Sequence, residues 1–476
     1  YRTPVRYNRG VVSHPYAELH AHSYFTFLEG ADAPEDYILC AKQLGLDALA
    51  LLERDGMYSL IRSMQAARES SFPLIIGTEL TLSTAQFSRY DGNASIGSPG
   101  WGLPCGWEDT GIRLPILTTS RDGYRDLCSL MSERTLEDVE GENPSHGLEN
   151  IAENAQDIRI LTGGARGPLR RILHAQGRNQ ADRFLNDLIS LFGRERIIVE
   201  SVLRPGEDDM GAELADLAHK HRLPLAAAGG VTMASPKSKY RADLLCALRQ
   251  SKSLDEIRYL LPAQHSFLKS AEEMLALHRM APQAVSNAAG IARECYYPMS
   301  FDTWDLPETE VPQGHTTISW LTALSYAKAQ ELYGPRSANP HAWEVIDHEL
   351  SIIGQLDFAG YFLIVYDIVD FCRSRGIMCQ GRGSAANSAV CYCLGITAVD
   401  AIRHRMLFER FLSPGRSGAP DIDIDIDSAR REEVIQYVYQ RYGRRRAAQV
   451  ATVITYRSQL AYKDAARALG IDATHV

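Results

Sequence analysis

The sequence predicts an α/β fold for roughly its first 280 residues, followed by a smaller mixed α+β domain. Short apolar runs at 46–52 and 158–162 have the length of buried strands, and helical periodicity accompanies them, as at 213–220. Alternation of strands and helices favours a largely parallel sheet or a barrel. The second part is predicted by a strand of alternating acidic and apolar residues at 421–427.

The composition is that of a folded chain. Hydrophobic residues make up 45% of the 476 residues and charged residues 23%, which excludes a disordered chain. The longest apolar stretches, such as 361–366, are far shorter than the roughly 20 residues of a membrane-spanning helix, so no membrane partner is expected. The nine cysteines lack the compact spacing of a zinc site, which favours a reducing, cytoplasmic location.

The charge distribution gives two opposing indications about nucleic acid. The net charge of −9 argues weakly against a nucleic-acid partner, because a duplex attracts a basic surface. A dense basic cluster near the C-terminal end nevertheless provides candidate DNA-binding residues, and a solvated helix end explains it equally well. The cluster consists of Arg441, Arg444, Arg445 and Arg446.

The strand at 421–427 carries four aspartates on one predicted face and three isoleucines on the other. Four like charges in a row are unfavourable unless something compensates them, and Mg²⁺ prefers such hard oxygen ligands. Two such ions about 3.5–4 Å apart can stabilise both oxygens of a phosphoryl transfer. The alternative is a solvent-facing edge strand with an acidic face.

A glycine–serine turn at 380–388 follows an apolar run and precedes a helical stretch. Its glycines allow backbone amides to approach a phosphate, and Arg382 adds a bidentate donor. The turn is not a Walker A loop, because the lysine is missing and the spacing differs. Its position shortly before the acidic strand makes the combination more specific than either motif.

Four motifs, at 360–365, 381–386, 407–412 and 420–425, occur in the order and spacing of the palm domain of bacterial DNA polymerase III alpha subunits, and the chain resembles this DnaE-type (family C) group. The resemblance implies a polymerase-beta-like nucleotidyltransferase palm, acting on primer–template DNA and dNTPs with two Mg²⁺ ions. It implies that Asp421 and Asp423 bind metal and that Asp425 is their catalytic neighbour. It also implies contacts to the triphosphate from Arg382, Gly383, Ser384, Arg410 and Arg416.

The N-terminal segment 18–23 resembles the opening motif of a PHP domain (polymerase and histidinol phosphatase), a (β/α) barrel. His20 and His22 lie two residues apart, as ligands on one face of a strand end do, and Glu79 matches a later family ligand. These three residues and Glu53 are the vestigial PHP positions.

The other PHP ligands are missing by the same comparison. Where the family has an Asp-His pair, a histidine, a cysteine and an Asp-x-His pair, this chain has Glu53-Arg54, Arg113 or a neighbour, Gly164, and Gly230 with Thr232. A guanidinium would repel a divalent cation and could fill the pocket itself. The prediction is a structural PHP domain with no metal and no proofreading nuclease.

The predicted domains are a PHP domain at 1–280, a palm with its linker and helices at 281–452, and the start of a helical thumb at 453–476. The eroded PHP motif and the short linker favour the error-prone, translesion (ImuC-like) branch. The resemblance places a third catalytic aspartate, the fingers and the regions that bind the β sliding clamp and mutasome or polymerase III subunits beyond residue 476. The chain is therefore expected to be inactive alone.

Two other functions remain open from the residues. One is a PHP-type metal phosphoesterase carrying an extra domain, against which the missing ligands argue. The other is a non-catalytic module that binds DNA or partner subunits.

Overall fold

The computed structural model describes residues 14–90, 111–137, 145–258, 261, 265–301, 309–413, 420–450 and 452–471. The chain divides into two compact units. The first comprises residues 1–298 together with 454–476, and the second comprises residues 299–453.

The first unit is an α/β structure. Its strands are β1 (Glu18–Ala21), β2 (Leu49–Leu51), β3 (Leu74–Ile75), β4 (Gly77–Leu82), β5 (Ile112–Thr118), β6 (Ile158–Leu161), β7 (Ile197–Ser201) and β8 (Leu225–Ala227). Its first ten helices are α1 (Pro34–Gln43), α2 (Leu60–Ser70), α3 (Arg121–Glu137), α4 (Leu148–Asn154), α5 (Pro168–Gln176), α6 (Arg178–Phe192), α7 (Asp208–His221), α8 (Lys239–Gln250), α9 (Ala271–Leu277) and α10 (Gln283–Cys295).

The strands form two sheets that are joined into a barrel-like arrangement. One sheet has the order β1-β2-β3 and is parallel, and the other has the order β4-β5-β6-β7-β8. Single bridges between Ala21 and Val231 and between Arg54 and Glu79 link them. The predicted apolar runs at 46–52 and 158–162 contain β2 and β6, and the predicted α/β class is confirmed.

One part of the larger sheet differs from a largely parallel arrangement. β5 runs antiparallel to both β4 and β6, whereas β6, β7 and β8 are parallel. Apolar runs cannot distinguish these cases, because strands buried on both faces have the same pattern in either direction.

The second unit is mostly helical. It contains α11 (Thr317–Tyr333), α12 (Pro340–Gln355), α13 (Ala359–Ser374), β9 (Cys379–Arg382), a 3₁₀ turn (Gly383–Asn387), α14 (Ala389–Cys393), β10 (Asp423–Ile426) and α15 (Arg431–Tyr442). The side chains of Thr316 and Asn339 accept hydrogen bonds from backbone amides at the starts of α11 and α12. A core that includes Ile346, Phe362 and Phe411 holds these elements together.

No single helix in the described ranges is long and apolar enough to cross a membrane. α12 and α13, bent by 115° at the short break between them, together have the length and composition of a broken span. Their buried apolar residues belong to the core of the second unit.

Two helices near the predicted domain boundaries pack in the first unit. Asn287 of α10 donates a side-chain hydrogen bond to the Leu225 carbonyl at 2.9 Å. Helix α16 (Ser458–Ala468) accepts a 2.8 Å hydrogen bond at its Ala468 carbonyl from the Leu254 amide. Ala468 is buried there with Cys246. Residues 302–308, at the start of the predicted linker, lie outside the described residues.

Candidate active site

The acidic strand pairs with the strand that leads into the glycine–serine turn. β10 runs antiparallel to β9, with Asp423 opposite Arg382 and Asp425 opposite Gln380. Asp423 and Asp425 are exposed, whereas Ile424 between them is half-buried and packs against the core. As the alternation in the sequence predicts, these aspartates face solvent while the isoleucine between them faces the core.

Side-chain hydrogen bonds fix the turn beside the start of the acidic strand. The Ser384 hydroxyl donates to the Asp421 carbonyl at 3.3 Å, and the Asn387 amide donates to the Ser384 carbonyl at 3.0 Å. The Tyr361 hydroxyl accepts from the Ile422 amide at 3.2 Å. Two motifs that are separated in sequence thus form one surface.

Two glycines in the turn are required by its geometry. The Gly381 amide donates to the Ile396 carbonyl at 2.6 Å, and a Cβ at Gly381 would lie 2.5 Å from that oxygen. Gly383 has φ +69°, in the left-handed region, and a Cβ there would meet no atom within 4 Å. The turn therefore presents an open stretch of backbone at Gly383.

The arginines assigned to the triphosphate differ in their surroundings. Arg382 Nε lies 3.6 Å from Asp425 Oδ2, and both side chains are about 60% exposed. Arg410 is exposed at the end of a 3₁₀ turn (Phe408–Arg410). Arg416 lies outside the described residues.

The four arginines of the basic cluster are all exposed. Arg441, at the last turn of α15, donates to Glu310 at 3.2 Å. The Arg444 guanidinium lies 5.1 Å from the centre of the Tyr439 ring. Arg445 and Arg446 follow directly, so the cluster remains accessible to an anionic partner.

The exposed carboxylates of Asp423, at the start of β10, and of Asp421, two residues before it, are hard oxygen donors, which fit a divalent cation. Asp427 has another role, because its Oδ1 accepts a hydrogen bond from the Ala429 amide at 3.0 Å just before α15. Asp425 is exposed like Asp423 and lies next to Arg382. The residues present thus fit a metal at Asp421 and Asp423.

The first unit has a second group of candidate ligands at the ends of its strands. His20 Nε2 lies 3.1 Å from both His22 Nε2 and Glu79 Oε1. The donor atoms of His20, His22 and Glu79 all lie within 4.8 Å of one another, and the three side chains are buried. Three side chains that could bind one metal ion are therefore close together.

A buried guanidinium occupies one side of this group. Arg113 of β5 is 0% exposed and donates to Glu79 Oε2 at 3.1 Å. It also makes a bidentate pair with Glu29, at 2.8 and 3.0 Å. Arg54 and Arg166 donate to Glu29 as well, at 2.9 and 2.5 Å. Arginines thus surround the carboxylates where a cation would otherwise be needed.

The remaining family positions do not point ligands at this group. Glu53 is buried and accepts from the hydroxyls of Ser23 and Thr26 at 2.5 and 2.6 Å. A Cβ at Gly164 or Gly230 would lie 3.0–3.1 Å from the side chain of Val202, which packs against both glycines. The residues present do not fit a multi-metal cluster, and Arg113 shares the carboxylate of the three ligands that remain.

Burial and neighbouring charges shift the pKa values of the two histidines in opposite directions. Burial alone would lower the pKa of His20, but Glu200 and Glu79 raise it well above its ordinary value. Burial lowers the pKa of His22 to about 4, so this ring is neutral at neutral pH. Burial alone would raise the pKa of Glu29, but Arg166 and Arg113 hold it well below its ordinary value. The site is therefore a network of ionised pairs.

Three participants were not predicted from the sequence. Glu200 accepts from His20 Nδ1 at 2.7 Å, and an acidic residue inside the apolar strand β7 is a signal that could have identified it. Glu29 and Arg166 lie in loops and have no local signal. Their contact depends on residues 137 positions apart in the chain.

Comparison with known proteins is consistent with both units. Residues 18–202 match the PHP domain family, and residues 319–476 match the family described as the bacterial DNA polymerase III alpha NTPase domain. The predicted resemblance is confirmed. The match with a solved amidohydrolase from Chromobacterium violaceum covers 46% of this chain and 88% of that protein, at 17% identity and with a TM-score of 0.32.

Several curated relatives match nearly the whole chain. The error-prone DNA polymerase of Mycolicibacterium paratuberculosis is 43% identical over 474 residues, which is 99% of this chain and 42% of that protein. The error-prone DNA polymerase of Mycobacterium bovis is 44% identical over 96% of this chain and 41% of its own length. That of Cutibacterium acnes is 42% identical over 98% of this chain and 40% of its own. The chain thus spans about two fifths of these relatives.

Proposed function

We propose that this chain is part of a DnaE-type DNA-directed DNA polymerase of the error-prone, translesion branch, which extends a primer with dNTPs. The pairing of β9 with β10 carries the proposal, because it sets a phosphate-binding type of turn beside two exposed aspartates. The names of the relatives support the branch.

Different side chains have different roles in the proposed nucleotidyl transfer. The primer 3′-hydroxyl loses its proton and attacks the α-phosphorus, and pyrophosphate leaves. Asp421 and Asp423 would hold Mg²⁺, and the bound cation would stabilise charge on the entering and leaving oxygens. Arg382, Arg410 and the amides near Gly383 bind the phosphates and stabilise the leaving group.

Two residues support this arrangement. Asp425 lies across from the β9 strand and orients Arg382 through their contact at 3.6 Å. The Ser384 hydroxyl ties the turn to the acidic strand. Arg416, by its position in the sequence, is a further candidate for the triphosphate.

The exposed arginines at 441 and 444–446 bind the phosphate backbone of primer–template DNA. In the full-length protein, the β sliding clamp and mutasome or polymerase III subunits are the proposed protein partners. Each arginine that contacts a phosphate contributes to the salt dependence of DNA binding.

The test uses the full-length protein that contains this chain. Asp421→Ala is expected to reduce primer extension by at least about 10³-fold while DNA binding is retained, because only the charge-stabilising ligand is lost. Asp427→Asn on the same strand is the matched control and should retain activity, since its amide oxygen can still accept from Ala429. Robust extension by Asp421→Ala would exclude the proposed site.

The barrel, we propose, is structural and holds no metal. The ion pairs of Arg113 with Glu79 and Glu29 support this, because they already compensate the buried carboxylates. Elemental analysis of the purified protein should find no stoichiometric zinc, manganese or iron in this unit. Metal bound at His20 and His22, or hydrolysis of a simple phosphoester, would instead support the phosphoesterase alternative.

A further inference from the structure

A buried glutamate lies directly behind the glycine–serine turn. Glu349, in the middle of α12, is 1% exposed, and no Lys or Arg side chain pairs with it within the described part of the chain. A buried carboxylate without a cationic partner is unfavourable unless hydrogen bonds satisfy it. Its contacts therefore show what the residue does.

Both carboxylate oxygens of Glu349 are used at one place, the end of the turn. Oε1 accepts from the Ala389 amide at 2.8 Å. Oε2 accepts from the Ser388 hydroxyl at 2.7 Å and from the Val390 amide at 3.0 Å. The Ser388 oxygen in turn accepts from the Cys391 amide at 3.0 Å. A single side chain thus binds three donors about 40 residues away in the chain.

The turn is held at two ends and is open between them. Its first end is fixed by the β9–β10 ladder and by the Gly381 amide. Its second end is fixed by Glu349. Between these ends, the backbone at Gly383 is open, because a Cβ there would meet no atom within 4 Å. Within the described residues, side-chain hydrogen bonds join Ser384 to Asn387 and to the Asp421 carbonyl, and Ala385 is buried in the core. The position of Ser384 relative to Asp421 therefore depends on both ends.

We infer that Glu349 is a positioning residue for the incoming nucleotide, which fixes the turn so that Ser384, Arg382 and the Gly383 backbone meet the triphosphate beside Asp421. The inference rests on the proposed polymerase function. Glu349 does not contact the nucleotide itself. It acts through the backbone of 388–390, and preorganisation of a binding loop increases affinity by reducing the loss of conformational freedom on binding.

Glu349→Gln tests the inference in the full-length polymerase. The amide replaces one of the two acceptor oxygens with an NH₂ group, so either the Ala389 amide or the Ser388 and Val390 donors lose their acceptor. Single-nucleotide incorporation should show an apparent dNTP Kd raised about fivefold to tenfold, with the maximal rate constant within about twofold of wild type. The Kd for primer–template DNA should not change.

Glu344→Gln is the matched control, since Glu344 is exposed on the same helix, and its dNTP affinity should equal that of the wild type. Ser388→Ala removes one of the three donors and should raise the dNTP Kd about twofold to threefold. If Glu349→Gln does not fold, the dNTP Kd of Ser388→Ala tests the inference in its place.

A folded Glu349→Gln protein with wild-type dNTP affinity would overturn the inference, as would a slower rate with unchanged affinity. If Glu349→Gln does not fold, wild-type dNTP affinity in Ser388→Ala has the same meaning. If the wild type is active and these variants bind dNTP as it does, the inference fails but the polymerase proposal stands. If the full-length wild type incorporates no nucleotide, or Asp421→Ala remains active, the proposed function fails and the inference fails with it.

Discussion

The barrel and the second unit each collect carboxylates at strand ends, but their surroundings are opposite. Glu29 and Glu79 are buried, and arginines and His20 donate to their oxygens. Asp421 and Asp423 are exposed, and the only ion pair on their strand, within the described residues, joins Asp425 to Arg382. One site is electrostatically complete, whereas the other is open to a cation.

This difference shows that burial decides which partner a group of carboxylates requires. Buried carboxylates require compensation at all times, and a guanidinium supplies it permanently and without release. Exposed carboxylates are hydrated in the absence of a cation, so they do not depend on a permanently bound partner. The predictions below test that contrast, from the largest effect to the smallest.

Arg113→Met should destabilise the barrel by about 3–5 kcal/mol, because it leaves buried carboxylates without their main cation. Urea unfolding of the chain measures the change. The matched control is Arg62→Met, since Arg62 pairs with Glu35 where both are more than 40% exposed. This control should change stability by less than about 1 kcal/mol.

The same variant distinguishes a structural pair from a lost metal site. With Arg113 removed, Zn²⁺ should raise the melting temperature of the variant, since His20, His22 and Glu79 remain within reach of one ion. The wild type should show no such shift. A wild-type shift as large as that of the variant would mean that Arg113 and a cation do not compete.

Stability should depend on pH with opposite sign in the two units. Arg166 and Arg113 hold the pKa of Glu29 low against the effect of burial, so the barrel loses stability as the pH falls below the ordinary glutamate value of 4.5. Burial raises the pKa of Glu349 from 4.5 to about 7, so its contribution to stability declines as the pH rises through that interval. The groups facing Glu349 are His348 beside it and the thiols of Cys391 and Cys393.

Comparison of the wild type with Glu349→Gln isolates the contribution of Glu349 to the pH dependence of stability in the second unit. The unfolding free energy of the wild type relative to the variant should fall by about 3 kcal/mol as the pH rises from 4.5 past 7. Urea unfolding followed by tryptophan fluorescence measures it, because Trp343 is buried in this unit. A pH-independent difference would show that Glu349 is ionised throughout.

Arg382→Gln should have the smallest effect on the fold and a local effect on the ligand. Its pair with Asp425 is long and about 60% exposed, so stability should not change measurably. In the full-length protein, the dNTP Kd should rise about tenfold, because a charge-assisted phosphate contact is lost. Arg430→Gln, which breaks the pair with Glu433, is the control and should leave the dNTP Kd unchanged.

The sequence predicted the elements that depend on local patterns. Apolar runs identified β2 and β6, and the alternation at 421–427 identified the strand that contains β10. His20, His22 and Glu79 were predicted from the family resemblance, and they do lie together. The sequence also suggested a guanidinium next to the PHP site, and Arg113 donates a hydrogen bond to Glu79 there.

The remaining features depend on contacts between distant residues. The bidentate pair of Arg113 with Glu29 joins positions 84 residues apart, and Glu349 meets Ser388 across 39 residues. No periodicity encodes such a contact, because each partner alone resembles an ordinary surface residue. The antiparallel direction of β5 was missed for the same reason, since the pattern of a buried strand is independent of its direction.

The bidentate pairing of Arg113 limits how the barrel can change by single substitutions. A single substitution that removes the guanidinium leaves two buried charges exposed to each other before any replacement ligand is present, and the effects of neighbouring residues are not additive. Removal of Arg113 alone would leave His20, His22 and Glu79 within reach of one ion, whereas a multi-metal cluster would need further ligands at positions 54, 164, 230 and 232. The arginine network therefore makes the barrel resistant to stepwise substitution, because a change at one member is unfavourable until a second change compensates for it.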